Sequence, residues 1–228
     1  MKINKRFEYP TSTRSLVSGS RHYDVEQQRL PSVTTILSAT QSEEKKASLA
    51  RWREREGLAQ ATRIMDQAAA RGTTMHAILE DYVNGSNRVD MTEDGILATS
   101  MAQQIIEKGL SNVDEVWGSE ITVYYPGLYA GATDLVGLYK KSESIMDFKS
   151  SNKPKRREWI EDYKLQLAGY ALGHNEVYGT NIQSGVVLMC TPDNYFQEFV
   201  FDGQEFRQAK FDWLRRVDQY YNQLDKIK

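Results

Sequence analysis

The chain has 228 residues, a formal charge of −2 and a sequence pI near 6.0. This length can bury one substantial core, and the balanced charge gives no global electrostatic footprint for a protein that merely coats DNA or RNA. Cys190 is the only cysteine, which excludes an internal disulfide and a cysteine-held zinc or iron–sulfur site and favours a reducing compartment.

The first ten residues, MKINKRFEYP, lack the apolar core of a signal peptide, and no apolar stretch is long enough to span a bilayer. We therefore expect a soluble protein with no membrane partner. The compact length and the missing targeting peptide favour a phage or bacterial protein, which we expect to be a monomer in the cytoplasm of a bacterium or of a phage-infected host cell.

The N-terminal part of the chain, residues 1–110, is predicted to be mainly helical after a mixed polar start. In LPSVTTIL, Pro31 and Ser32 indicate the start of a short helix with Ser32 as its N-cap. Three longer helical patterns follow from residue 42 onward. Gly72 is expected to break the middle one, with Thr73 capping the helix that follows.

The remaining part, residues 111–228, begins with a stretch rich in Val, Ile and Tyr that predicts a three-stranded meander. Its turns are expected at Pro126-Gly127 and at residues 140–142. A helix over about 158–178, two strand-like runs and a closing helix over about 204–226 complete the chain. This order predicts a mixed α/β fold in which helices flank a mixed central sheet, as one compact domain overall.

The stretch IMDFKSS ends an apolar run with an acid, an aromatic residue and a lysine. In a strand, Asp147 and Lys149 share one face and Phe148 lies on the other. Asp134 lies on the preceding strand, so a hairpin can bring the two carboxylates together. Two buried like charges repel unless a cation lies between them, and carboxylates suit a hard divalent ion such as Mg²⁺. The alternative is an ordinary ion pair where a strand emerges into solvent.

His76 and Glu80 are four residues apart in RGTTMHAILE and therefore share one helix face. Without a second histidine nearby, they do not match the two-histidine motif of zinc proteases. The alternatives are a half-buried structural histidine and a solvated glutamate.

The predicted long helix carries a stripe of Trp159, Tyr163, Gln166, Tyr170 and His174. An aromatic stripe is typical of a core, which we expect for Trp159 and Tyr163. A buried Gln166 is harder to explain as core, because its amide needs hydrogen-bond partners, which a phosphate or a water held by a metal would supply.

Basic residues cluster directly after the predicted strand that ends in IMDFKSS. They are Lys153, Lys155 and Arg156 of NKPKRRE. Their place after Lys149 would set them beside a substrate backbone, although a solvated loop is the alternative. Upstream, ARWREREG alternates Arg and Glu around Trp52, and Arg71 precedes His76. Such basic and aromatic groups can hold a single strand without reading its sequence.

Four motifs, RGTTMHAILE, YAGATDLVGLY, IMDFKSS and YKLQLAGYA, resemble in order and spacing the RecB-type branch of the PD-(D/E)XK nucleases. Within this branch the chain is most similar to the mitochondrial genome maintenance exonucleases and their phage relatives. The likeness covers most of the chain from about Pro31, since LPSVTTIL, LARWRER and CTPDNYFQEF also take part. The resemblance implies a restriction-endonuclease-like core formed by residues 111–228.

The resemblance also implies His76, Asp134 and Asp147 as ligands of Mg²⁺ or Mn²⁺, with the main-chain carbonyl of Phe148 as a further ligand. Lys149 is then the catalytic lysine, and Gln166 and Tyr170 match the Q-x-x-x-Y element of the helix that meets the DNA. Thr133 replaces the proline of the motif, and without a four-cysteine set no iron–sulfur cluster is expected. We add Glu80 and Gln166 to the catalytic candidates, and we expect nucleic-acid contacts from Arg71, Lys153, Lys155, Arg156, Tyr163, Gln166 and Tyr170.

The leading hypothesis is a metal-dependent DNA exonuclease that prefers single strands with a free end. A structure-specific or restriction-like endonuclease would also cut circular substrates. An inactive nuclease-fold binding module would tend to lose the metal ligands, whereas Asp134, Asp147 and Lys149 are all present. A structural or interaction protein with incidental motifs would bind no metal.

Overall fold

The computed structural model describes residues 1–88 and 90–226. The strands of these residues form a six-stranded main sheet and a three-stranded small sheet. Their bounds are Lys2–Ile3 (β1), Thr13–Val17 (β2), Ser20–Val25 (β3), Gln28–Pro31 (β4), Val113–Tyr125 (β5), Tyr129–Tyr139 (β6), Ser142–Ser150 (β7), Ser184–Cys190 (β8) and Phe196–Phe201 (β9). The helices are Val33–Ala39 (α1), Glu43–Glu56 (α2), Leu58–Val83 (α3), Glu93–Lys108 (α4), Glu161–Tyr178 (α5) and Gly203–Asp225 (α6).

The main sheet has the strand order β1-β5-β6-β7-β8-β9 and is mixed. Strands β5, β6 and β7 form the predicted antiparallel meander, and α5 then crosses over so that β8 runs parallel to β7. Strand β9 returns antiparallel to β8, and the short β1 lies parallel to β5. The predicted mixed sheet flanked by helices is therefore confirmed.

Helices cover both faces of the main sheet, and β7 shows how the sequence selects each face. Ile145 packs in a core cluster with residues of α1, α5 and α6, whereas Met146 and Phe148 pack with residues of α3 and α4. This alternation follows from the period of two in a strand. Asp147 and Lys149 consequently lie on the Ile145 side, which α5 covers.

The short helix α1 begins as predicted, because Ser32 Oγ accepts a hydrogen bond from the Thr35 N–H. The predicted break at Gly72 is wrong, since α3 runs through Gly72 and Thr73 without interruption. The Thr73 hydroxyl donates to the Ala69 carbonyl inside the helix rather than capping a new one. Burial of one face of α3 against α4 outweighs the roughly 1 kcal/mol cost of a glycine in a helix.

Three further expectations need correction. The long helix begins at Glu161 rather than at 158, because residues 157–159 form a 3₁₀ turn. Trp159 is therefore off the helix and 58% exposed, not part of the core. The polar start of the chain also contains the small sheet β2-β3-β4, whose Tyr23 and Leu30 pack against Ala130 of β6.

Among the described residues, no helix is long and apolar enough to cross a membrane. The division at residue 110 stays a prediction, although β1 joins the main sheet and α1 packs in the same cluster as α5 and α6.

Candidate active site

The site begins where β6 and β7 separate. Their hydrogen-bonded ladder ends at the pair Leu135–Met146, and continuing this register places Asp134 opposite Asp147. Beyond that point the Phe148 N–H donates to Asp134 Oδ2 at 2.5 Å instead of to a main-chain carbonyl. Both carboxylates are buried at this opening, as the hairpin argument predicts.

His76 reaches the opening from α3. Its Nδ1 lies 3.2 Å from Asp134 Oδ1. Burial opposes a positive charge on the imidazole, but the Asp134 carboxylate outweighs burial and raises the pKa of His76. Burial alone would raise the pKa of Asp134, and His76, Lys149 and the Phe148 N–H together hold it below its ordinary value.

Glu120 of β5 completes this group, and sequence reasoning missed it. The ligand atoms of His76, Glu120 and Asp134 all lie within 4.8 Å of one another. Burial, followed by the charge of Asp134, raises the pKa of Glu120 to about 7. Glu120 also has a φ of +51°, in the left-handed region that costs a non-glycine residue free energy and that concentrates at functional sites.

A signal for Glu120 exists in the sequence once the hairpin turn is placed. Ser119 pairs with Leu135 and Ile121 with Thr133, so Glu120 faces Asp134 across the strands. Counting back from the Pro126-Gly127 turn gives the same register.

The half-buried Lys149 and the buried Asp147 form an ion pair through Nζ and Oδ2. Burial opposes the charge of Lys149, but Asp147 and Asp134 outweigh it and raise the pKa of the lysine, which keeps the ammonium protonated. Burial, with Asp134 adding to it, raises the pKa of Asp147. The Lys149 ammonium also lies 5.1 Å from the centre of the Tyr163 ring.

Helix α5 supplies the amide partner of Asp147. Gln166 Nε2 donates to Asp147 Oδ1 at 3.3 Å and to the Tyr170 hydroxyl at 2.9 Å. These contacts satisfy the buried amide, and they place both residues of the Q-x-x-x-Y element at the opening. Gly131 makes room for Tyr170, since a Cβ at this glycine would lie 2.5 Å from the tyrosine ring.

These groups lie around a cavity of about 620 Å³, the catalytic cavity. Glu80 lines this cavity but is not among the three residues whose ligand atoms cluster within 4.8 Å. The α3 residues that line the cavity recur at helical spacing, namely Ala69, Gly72, Thr73, His76, Ala77 and Glu80.

A second cavity of about 750 Å³, the Trp52 cavity, meets the catalytic cavity at Tyr163. Lys153 and Lys155 line it together with Trp52. Arg71 lies beside it, where its Nε donates to Ser150 Oγ at 3.3 Å and its guanidinium contacts Asn152. Arg156 instead stacks on the exposed Trp159 ring, 5.1 Å from its centre.

The residues at the opening fit a divalent cation. Three carboxylates, one imidazole and the Lys149 ammonium share a largely buried site, and oxygen-rich sets of this kind suit Mg²⁺ or Mn²⁺. Among the described residues, the buried Asp147 Oδ2 has no hydrogen-bond partner besides its ion pair with Lys149, which leaves this oxygen available to a cation. The contribution of the Phe148 carbonyl stays a prediction.

No protein-family model matches the chain. The chain is 25% identical over 205 residues to mitochondrial genome maintenance exonuclease 1 of Homo sapiens and 27% identical over 205 residues to that of Mus musculus. These alignments cover 84% of this chain and 58% and 59% of the relatives, so the chain spans about three fifths of the length of the curated relatives it matches.

Two solved structures resemble this chain with low TM-scores and low sequence identities. A protein from Eubacterium rectale has a TM-score of 0.48 at 10% identity, over 67% of this chain and 68% of its own. An alkaline exonuclease from Laribacter hongkongensis has a TM-score of 0.29 at 12% identity, over 71% of this chain and 96% of its own. TM-scores below 0.5 add nothing to the sequence similarity. The chain is a homologue of mitochondrial genome maintenance exonuclease 1, which confirms the resemblance that its motifs predict.

Proposed function

We propose that this chain is a Mg²⁺- or Mn²⁺-dependent DNA exonuclease that hydrolyses phosphodiester bonds and prefers single strands with a free end. The observation that carries the proposal is the group of His76, Glu120 and Asp134, whose ligand atoms lie within 4.8 Å of one another, beside the ion pair of Asp147 and Lys149. The homology to an exonuclease supports the reaction class.

We assign the binding of the metal to His76, Glu120, Asp134 and Asp147. When bound, the ion supplies Lewis-acid stabilisation of the phosphate and lowers the pKa of the attacking water. The Lys149 ammonium, held by Asp147 at the wall of the same cavity, stabilises the negative charge that develops on the phosphate. Gln166 orients Asp147 through its hydrogen bond to Oδ1.

The preference for single strands rests on the Trp52 cavity. Trp52 and Tyr163 offer ring surfaces for stacking, while Lys153, Lys155 and Arg55 offer charges for phosphates. This combination binds single strands without reading their sequence. DNA as the substrate, a monomeric state and a cytoplasmic location in a bacterial or phage-infected cell are parts of the same proposal.

One assay tests the function, the cofactor and the need for an end. Purified protein is incubated with end-labelled linear single strands, linear duplexes and covalently closed single-stranded circles, with Mg²⁺, with Mn²⁺ or with a chelator. We expect linear single strands to be degraded only when one of the two metals is present, duplex ends to be processed slowly, and circles to resist.

The Asp147→Asn variant is the control for contaminating nucleases, because it keeps the side-chain shape but removes a charge that holds the ion. If circles are cut as fast as linear strands of equal length, the protein is an endonuclease rather than an exonuclease. Absence of cleavage with any substrate and either metal would overturn the proposed function.

A further inference from the structure

A further cavity adjoins the catalytic cavity on the side of the small sheet. This Arg14 cavity has a volume of about 620 Å³ and is lined by the segment 9–12 and by residues of β5 and β6. Four residues line both it and the catalytic cavity, namely Arg14, Tyr23, Glu120 and Ala132.

The Arg14 cavity and the Trp52 cavity lie on opposite sides of the catalytic carboxylates. Glu120, Asp134 and Asp147 stand on the adjacent strands β5, β6 and β7. The Arg14 cavity lies on the β5 side, where Ile121 and Thr122 line it. The Trp52 cavity lies beyond the end of β7, where residues 150–152 line it. The three cavities therefore form one trough with the carboxylates near its middle.

The small sheet holds its part of this trough in a fixed place. Tyr23 and Leu30 pack against Ala130 of β6, and Ser32 forms a parallel bridge with the same residue. The Ser12 hydroxyl hydrogen-bonds the Thr122 hydroxyl at 2.7 Å, which ties the segment before β2 to β5. The position of Arg14 relative to the carboxylates is therefore set by the packed core rather than by a loose terminus.

Two arginines of this sheet face the trough. The Arg14 guanidinium lies 5.6 Å from the centre of the Tyr23 ring, and Arg21 lines the catalytic cavity. The Arg21 carbonyl accepts hydrogen bonds from the Ser32 N–H at 2.9 Å and from the Thr35 hydroxyl at 2.8 Å, which fix its main chain. Within residues 1–88 and 90–226, no carboxylate forms an ion pair with either guanidinium.

A third arginine on the same sheet shows the contrast. Arg29 is paired with Asp24 through a hydrogen bond of 2.7 Å, and it lines neither cavity. Arg14 and Arg21 are thus the cations of this sheet whose charges are left for an anion in the trough. A guanidinium is well suited to a phosphate, because its planar set of donors matches two phosphate oxygens.

We propose that Arg14 and Arg21 form a phosphate-binding subsite on the β5 side of the catalytic carboxylates. This subsite holds the strand on one side of the phosphate that is cleaved, while the Trp52 cavity, with more cations and two aromatic rings, holds the strand on the other side. The inference rests on the proposed function, since it names further contacts of the same site. Contacts of this kind are to phosphates and carry no sequence preference.

Binding in the Asp147→Asn background tests the subsite without cleavage. The affinity for fluorescein-labelled, 5′-phosphorylated oligothymidylates of increasing length is measured by anisotropy over a series of salt concentrations. Adding Arg14→Ala and Arg21→Ala should weaken binding about tenfold at fixed salt. The slope of log affinity against log salt should fall in magnitude by about 1.4, because each lost phosphate contact contributes about 0.7 for single strands.

The length series locates the lost contacts. Affinity should stop rising at a shorter oligonucleotide in the double variant, since one arm of the trough no longer contributes. Arg29→Ala is the matched control, which removes the same charge from the same sheet and should leave slope and length dependence unchanged. Arg14→Lys with Arg21→Lys should restore most of the slope.

An unchanged salt slope and an unchanged length dependence in the double alanine variant would overturn the subsite. A lower melting temperature with an unchanged slope would do the same, because it assigns the arginines a structural role. If the wild-type chain cleaves no DNA, the proposed function fails, and the binding series still decides the subsite.

Discussion

At the scale of single residues, the two glutamates of the catalytic cavity differ in what surrounds them. Glu120 is held by a strained backbone against Asp134, and burial raises its pKa to about 7. Glu80 lines the same cavity from α3 but stands apart from the cluster of ligand atoms. The two side chains are chemically the same, so their positions alone make Glu120 a candidate metal ligand and Glu80 a residue that only lines the cavity.

We expect Glu120→Gln to weaken Mg²⁺ and Mn²⁺ binding by at least about tenfold, because the variant loses an anionic oxygen from the cluster. Glu80→Gln is the matched control and should change metal affinity little. Titration calorimetry with each metal measures the affinities of the wild type and of both variants. Equal losses in the two variants would add Glu80, which the sequence indicates only as a catalytic candidate, to the metal ligands.

Removal of Lys149 should separate catalysis from metal binding. Lys149→Ala should lower kcat by about 10²–10³-fold, because the ammonium acts on the charge developing at the phosphate. Metal affinity should not fall, since Asp147 Oδ2 loses the cation that competes for it. Lys140→Ala, on the exposed β6–β7 turn, should change neither quantity. Lost Mg²⁺ affinity in Lys149→Ala would contradict the assigned role.

At the scale of elements, the site depends on how closely α5 approaches β6. Gly131 permits this approach, because a Cβ there would lie 2.5 Å from the Tyr170 ring. Tyr170 in turn accepts the hydrogen bond from Gln166, whose amide also contacts Asp147. A Cβ at Gly72 of α3, in contrast, would lie 3.8 Å from the Ser150 side chain, which is an ordinary van der Waals contact.

The two glycines of the catalytic cavity should therefore respond in opposite ways to alanine. Gly131→Ala should lower the free energy of unfolding by about 1–3 kcal/mol and reduce kcat, because Tyr170 and Gln166 must move. Gly72→Ala should raise the free energy of unfolding by about 0.5–1 kcal/mol, because alanine is the better helix residue. Urea unfolding with activity assays checks both, and a stabilised Gly131→Ala would contradict the packing argument.

At the scale of the whole molecule, an aromatic cluster ties the N-terminal segment to the end of α5. His174 is fully buried in this cluster, with Nε2 3.1 Å from the Tyr9 hydroxyl and Nδ1 2.8 Å from Thr180 Oγ1. Burial, followed by the charge of Arg6, lowers the pKa of His174 to about 4. Phe7 and Tyr178 pack against the same imidazole.

This burial makes stability depend on pH. An unfolded histidine binds a proton below pH 6.5, whereas His174 in the folded chain does so only near pH 4. The unfolded state thus takes up the proton first, so His174 should contribute a loss of about 3 kcal/mol as the pH falls from 6.5 to 4. His174→Asn should lack this loss, so the stability difference between wild type and variant, from urea unfolding at pH 7.5 and 4.5, should shrink in acid. An equal difference at both pH values would contradict the burial argument.

Much of this protein follows from short-range patterns in its sequence. The period of two predicts that Asp147 and Lys149 share a face, as their ion pair confirms. The cap at Ser32 and the turns of the β5-β6-β7 meander are likewise predictable, because capping and turn chemistry involve only a few neighbouring residues. The order of the motifs predicts the homology in the same way.

Tertiary structure alone decided the features that depend on residues far apart in the chain. Glu120 faces Asp134 through a cross-strand register that can be counted only once the hairpin turn is placed, and no local pattern indicates its left-handed backbone. Gly72 stays helical because α3 packs against α4, and Arg14 reaches the catalytic cavity because the small sheet docks on β6. Packing between distant segments contributes more free energy than the preference of any one residue, so it overrides local propensity at these positions.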